Sequence, residues 1–112
     1  MTKTESWGRN YHESYLQQKS QFDPRVFQLI STKEEIIISS PFSFPLLKHI
    51  PYKVHRFKGG KIRILYALSP EAPIFWDSLP GLPEIIFLFV DLRSDETYND
   101  ALKILKKMVY KD

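Results

Sequence analysis

Six cations, Lys48, Lys53, Arg56, Lys58, Lys61 and Arg63, fall between Glu35 and Glu71 with no carboxylate among them. His49 and His55 lie in the same stretch. Over the whole chain of 112 residues, 16 Lys+Arg face 13 Asp+Glu, a net charge of only +3. Positive charge is therefore concentrated, while the acids gather toward both ends. Cations grouped on one rigid element form a phosphate-binding surface, such as RNA would use. The plain alternative is a solvated basic face with no ligand.

Composition narrows the chemistry further. There is no cysteine, so a disulfide and a thiolate metal site are both excluded. His12, His49 and His55 share no metal-ligand spacing, and no metal or other cofactor is expected. The longest apolar run, Ile85 to Val90, is far too short to span a bilayer. The opening MTKTESWGRN has no apolar signal region. A soluble, cytoplasmic protein with one domain over residues 1–112 is expected.

The elements that must position the cations can be read from hydrophobic period and turn residues. Trp7, Tyr11, Tyr15 and Leu16 recur at spacings that predict a helix. Asp23 can cap a second helix, with Pro24 at its first position, where no backbone N–H is needed. Val26, Phe27, Ile30 and Ile37 return to one face, and Pro41 stops the helix. The β-branched run before Ser39 leaves the last turn open to an extended form. Residues 40–51 hold three prolines and read as an irregular crossing. Residues 52–57 and 61–68 alternate around Gly59-Gly60 and predict a β-hairpin. A proline-rich loop follows over 69–83, with a short strand at Ile74-Phe75-Trp76 as one option. Glu84 to Leu92 is apolar on both faces and predicts a central strand. From about Asp95 to Tyr110, Tyr98, Ala101, Leu102, Leu105, Met108 and Val109 trace the apolar stripe of a last helix.

Hairpin register decides which charges meet, because side chains alternate faces along a strand. A two-residue loop at Gly59-Gly60 would place Lys53 and His55 among Ile62, Ile64 and Tyr66. A three-residue loop, Lys58-Gly59-Gly60, pairs His55 with Arg63, Val54 with Ile64 and Tyr52 with Tyr66. The second sorts apolar from polar groups and is the register expected. It gathers Lys53, His55, Lys61 and Arg63 on one open face and turns Arg56 the other way.

The segments YKVHRFKGGKIRILY, EIIFLFVDLR and SDETYNDALKILKK together resemble the RelE/ParE superfamily of toxin–antitoxin toxins. The resemblance covers roughly residues 24–107. It implies an α+β fold: an N-terminal helical pair on an antiparallel sheet of three to four strands, then a C-terminal helix. The family usually opens with a β-strand, and none is legible before Trp7, so the sheet is expected either to be smaller or to have its edge completed differently.

The RelE branch implies a ribosome-dependent mRNA endoribonuclease that needs no metal, with translated mRNA in the ribosomal A site as substrate and a cognate antitoxin as partner. Arg63 matches the family's hairpin arginine, which stabilises the transition-state phosphate. Lys53 matches a lysine on the preceding strand, with an electrostatic role or that of a base. His55 stands where members often carry another lysine, and an imidazole there could exchange protons near neutral pH. Arg93 follows the central strand, where the family has a phosphate-contacting arginine. Tyr98 matches a tyrosine that stacks on a base or acts as general base. Lys48, Arg56, Lys58 and Lys61 are further phosphate-binding candidates. Each also has a plain structural reading: Tyr98 could be core, His55 surface, and Arg93 an end cap. Two other functions share the scaffold, a ParE-like toxin that inhibits gyrase and a non-catalytic RNA- or antitoxin-binding module.

Overall fold

A computed structural model describes residues 7–48, 50–92 and 97–109, with backbone alone for 97–102. Its elements are β1 (Gly8–Tyr11), α1 (Glu13–Ser20), α2 (Pro24–Ser39), β2 (His55–Gly59), β3 (Ile62–Leu68), β4 (Glu84–Asp91) and α3 (Thr97–Met108). The four strands lie in the order β1-β4-β3-β2. β1 runs parallel to β4, and the other pairs are antiparallel. The expected α+β architecture is therefore present, with a mixed sheet rather than a purely antiparallel one.

Two apolar layers sandwich that sheet. On one face Tyr15, Ile30 and Ile37 from α1 and α2 pack on Phe57, Ile62, Ile64, Tyr66, Ile85 and Phe87. On the other, Leu105 and Met108 of α3 pack with Leu65, Ala67, Ile86 and Leu88. Every residue of β3 is buried. A bulge opposite Leu65/Tyr66 lets Leu88 and Phe89 both turn toward the α3 layer.

The helical pair follows its sequence signals closely. Asp23 Oδ1 accepts the Val26 N–H at 3.0 Å, and Pro24 opens α2. The β-branched run Ile36–Ile38 stays helical through Ser39 because Ile37 falls seven residues after Ile30, on the buried side. Between α1 and α2 lies a charged core. Glu34, 3% exposed, accepts the Tyr15 hydroxyl at 2.7 Å and the Lys19 ammonium at 3.0 Å. Burial, with the Glu34 carboxylate alongside, pushes the Tyr15 hydroxyl far above its usual range, so it donates and does not ionise.

α1 starts at an unusual cap. His12 Nδ1 accepts the Ser14 N–H at 3.1 Å, which requires that nitrogen to be unprotonated. Burial lowers the His12 pKa from 6.5, against a smaller opposing effect of Glu13. A histidine held neutral in the fold binds fewer protons folded than unfolded. Its contribution is therefore complete above pH 6.5 and fades as the pH falls below that value. His12→Asp keeps a cap acceptor without this titration. Urea curves across that window should show wild type losing stability that the variant retains.

Three expectations are corrected by the sheet. The segment Gly8–Tyr11, read as helical from Trp7 and Tyr11, is a strand against β4. A spacing of four residues fits either period over so short a piece. What decides is the neighbour: Tyr11 stacks on Phe87 with ring centroids 5.3 Å apart. The hairpin register is His55↔Tyr66, Phe57↔Ile64, Lys58↔Arg63 and Gly59↔Ile62, neither of the two considered. Its turn is Gly60-Lys61, with Gly60 at φ 62°, a left-handed position suited to glycine. The third correction is at 74–76. Pro73–Phe75 forms a 3-10 turn, and Phe75 and Trp76 are buried, the indole N–H donating to Glu84 Oε1 at 2.7 Å.

Residues 45–47 do more than cross the fold. Leu46 bridges His55, the Arg56 N–H reaches Pro45 O at 2.8 Å, and the Leu47 N–H reaches Val54 O at 2.8 Å. The outer edge of β2 is thereby covered, which removes a template for strand pairing with other chains.

Candidate functional site

The observed register builds a row of charge across three strands. Lys58 of β2 stands opposite Arg63 of β3, and Arg63 stands opposite Asp91 of β4. Two pairs further along the hairpin, on the same face, Arg56 opposes Leu65, which opposes Phe89. Arg56, Lys58 and Arg63 thus share the α3 side of the sheet at its hairpin end. Lys58 is exposed and Arg56 partly buried. The Arg63 side chain is only 8% exposed, with Nε 3.6 Å from Asp91 Oδ1.

Among the described residues, the other expected lysines are not in that row. Lys53 is exposed, but it precedes β2 by two residues. At ~3.3 Å per residue it lies about 17 Å along the strand from Lys58. Lys48 is exposed just after Leu47, which bonds Val54, and so sits toward the Lys53 end. Lys61 is exposed in the turn itself. Arg93 and His49 lie outside the described residues. Tyr98 falls in the first turn of α3, and its side chain lies outside them also.

His55 faces the opposite layer from Arg63. It is 4% exposed and stacks on Tyr66, with ring centroids 5.1 Å apart. Nδ1 lies 2.6 Å from Phe44 O, and Nε2 lies 2.7 Å from Glu71 Oε1. The carbonyl can only accept, and so can an ionised carboxylate. Both ring nitrogens are thereby taken up, one by the carbonyl and one by the carboxylate. An imidazole so engaged ties the 40–47 segment and the 69–83 loop to the hairpin. It is not free to take a proton from a ribose. Tyr66 is closed to such chemistry too. Its hydroxyl donates to Pro41 O at 2.7 Å, and burial, with Glu71 nearby, raises its pKa beyond the usual tyrosine range.

Asp91 is the neighbour of Arg63 that sequence reading missed. The signal was present, since it is the acid that closes a strand whose interior, Ile85 to Val90, is wholly apolar. A count along the chain could not show that this acid crosses to Arg63, nor that Glu71 reaches His55. Among the described residues no group of three or more His, Cys, Asp or Glu is placed to hold a metal. No described helix is long and apolar enough to cross a membrane. A cavity of about 410 Å³ near β1 includes Glu13, Trp76 and Asp77 in its lining and no lysine or arginine, so it does not suit a phosphate.

No family model matches the sequence, and no curated protein does. Solved structures do. A mutant of the E. coli toxin RelE in the free state superposes with a TM-score of 0.63 at 14% identity, covering 94% of this chain and 100% of that one. The isolated E. coli RelE toxin gives 0.57 at 16% identity, covering 88% of this chain and 98% of that one. The chain has the RelE fold. Because the overlap takes in nearly all of both chains, the RelE fold accounts for the helical pair, the sheet and α3 together. β1 completes the edge of the sheet as a fourth strand, so the sheet is not the smaller one.

Proposed function

We propose that the protein is a RelE-like toxin that cleaves translated mRNA and is held in check by a cognate antitoxin. The observation that carries this is the Lys58–Arg63 pair, set side by side on the sheet face at the end where β4 leads on toward α3, in a RelE fold.

The chemistry is transfer at phosphorus. The ribose 2′-oxygen attacks the adjacent phosphorus, the bond to the 5′-oxygen breaks, and the products are a 2′,3′-cyclic phosphate and a 5′-hydroxyl. A base takes the 2′ proton, an acid gives one to the leaving oxygen, and cations stabilise the added phosphate charge. The nucleophile is already part of the substrate, so no metal is written into the scheme. Arg63 meets the phosphoryl oxygens, its planar fork suiting two of them at once. Lys58, exposed beside it, holds a neighbouring phosphate, with Arg56 behind. Tyr98 is assigned to the base or to stacking on a nucleobase, and Arg93 to a phosphate contact. Lys53, Lys48 and Lys61 can attract the RNA at longer range. His55 acts by holding the hairpin's surroundings in place.

Lys58→Ala tests the phosphate assignment. Binding of short single-stranded RNAs should weaken evenly across sequences, and the slope of log K against log salt should shrink by about 0.7, one phosphate contact. A change that depends on sequence, with an unchanged slope, would contradict it. The function itself is tested by inducing the protein in cells and mapping RNA ends. Growth should arrest, with new ends inside translated frames. The burial of Arg63 favours one second reading, a toxin that binds without cutting. It is distinguished by inhibition of gyrase supercoiling with intact messages.

A further inference from the structure

We propose that Asp91 is a positioning residue for Arg63, its carboxylate staying on the Nε side while an RNA phosphate takes the terminal nitrogens. This rests on the reading above, in which Arg63 meets the scissile phosphate. The two residues stand directly opposed on β3 and β4, with Nε and Oδ1 3.6 Å apart. The Arg63 side chain is 8% exposed and that of Asp91 27% exposed. A guanidinium so removed from water needs a negative charge beside it, and the carboxylate supplies one when no RNA is bound.

The more exposed member of the pair is the acid, so an anion arriving from solvent meets Asp91 before it reaches Arg63. The carboxylate then acts in two opposed ways. Its charge repels the incoming phosphate and weakens binding. At 3.6 Å from Nε, that same charge biases the plane of the guanidinium. That plane sets which phosphate oxygens the terminal nitrogens can meet. Asp91 thus gives up ground-state affinity for orientation at the reacting phosphorus.

Asp91→Asn separates these effects because it keeps the shape and removes the charge. The affinity probe is a labelled, unstructured single-stranded RNA of about twelve nucleotides, followed by anisotropy at low salt. The variant should bind roughly three- to tenfold tighter than wild type, with the difference shrinking as salt rises. In a translating extract its turnover should fall about tenfold or more, giving a lower KM and a lower kcat together. A side chain that only supports the fold would not lower kcat while tightening RNA binding. Equal or weaker binding by Asp91→Asn, undetectable binding by both proteins included, overturns the proposal. Should that variant fail to fold, Asp91→Glu carries the test. It keeps the charge and moves the carboxylate, so near-wild-type affinity with reduced turnover supports the proposal, and unchanged turnover overturns it. If wild type does not cleave at all, the nuclease reading fails, while tighter binding by Asp91→Asn still upholds the repulsion between Asp91 and an RNA phosphate at Arg63.

Discussion

Arg63→Ala should abolish growth arrest and lower message cleavage by about 10²–10³-fold, equivalent to roughly 2.7–4 kcal/mol of transition-state stabilisation. Arg63 is the cation whose place on the sheet is most firmly determined. It sits mid-strand with Lys58 on one side and Asp91 on the other. Arg63→Lys should fall between the two, since an ammonium keeps the charge and loses the planar fork. The fold should survive either change. Asp91 is 27% exposed and can be hydrated once its partner is gone, so a cost of about 1–2 kcal/mol is expected. A urea curve close to that of wild type, beside lost cleavage, would place the defect in the chemistry. A variant that still cuts at the wild-type rate would remove Arg63 from the mechanism.

Glu34→Ala should be the most destabilising single change in the helical layer. The carboxylate serves Tyr15 at 2.7 Å, Lys19 at 3.0 Å and, more loosely, Tyr11 at 3.4 Å. Removing it strands the Lys19 charge, 8% exposed, together with the buried Tyr15 hydroxyl. Breaking one side of such a buried pair costs about 3–5 kcal/mol. That is a large part of the ~5–15 kcal/mol by which a domain is ordinarily stable. The midpoint of urea unfolding should drop accordingly. Replacing the set with apolar residues of similar volume, as in Lys19→Met, Glu34→Leu and Tyr15→Phe together, should recover most of the loss or all of it. The network lies on the sheet face opposite Arg63, so whatever remains folded should cleave normally. A midpoint shift worth less than 1 kcal/mol would show that water reaches Lys19 in the native state.

Local signals located the elements well where they agreed with burial. Asp23-Pro24 marked the start of α2, the two-sided apolar run marked β4 as central, and the stripe through Leu105 and Met108 marked α3. The failures share one cause. Sequence reasoning gave the hairpin one wet face, as an antiparallel pair commonly has, and chose the register that sorted charge onto it. The sheet is instead covered on both sides. His55 enters the core once Glu71 and Phe44 O satisfy it, and Arg63 enters with Asp91 beside it. Both partnerships join residues far apart in the chain. The acid-free stretch from Glu35 to Glu71 is therefore a property of the chain and not of the surface. β1 escaped notice for a related reason: four residues carry too little period, and the parallel neighbour that makes them a strand lies more than seventy positions away.

The central claim is that the Arg63 row is the cutting site of a ribosome-dependent nuclease. It is tested most directly by adding purified protein to a translation extract and mapping the 5′ ends of a defined message. Wild type should produce new 5′-hydroxyl ends within the translated frame, lost when translation is blocked and lost with Arg63→Ala. An intact message under wild type, or the same cuts from Arg63→Ala, would contradict the account.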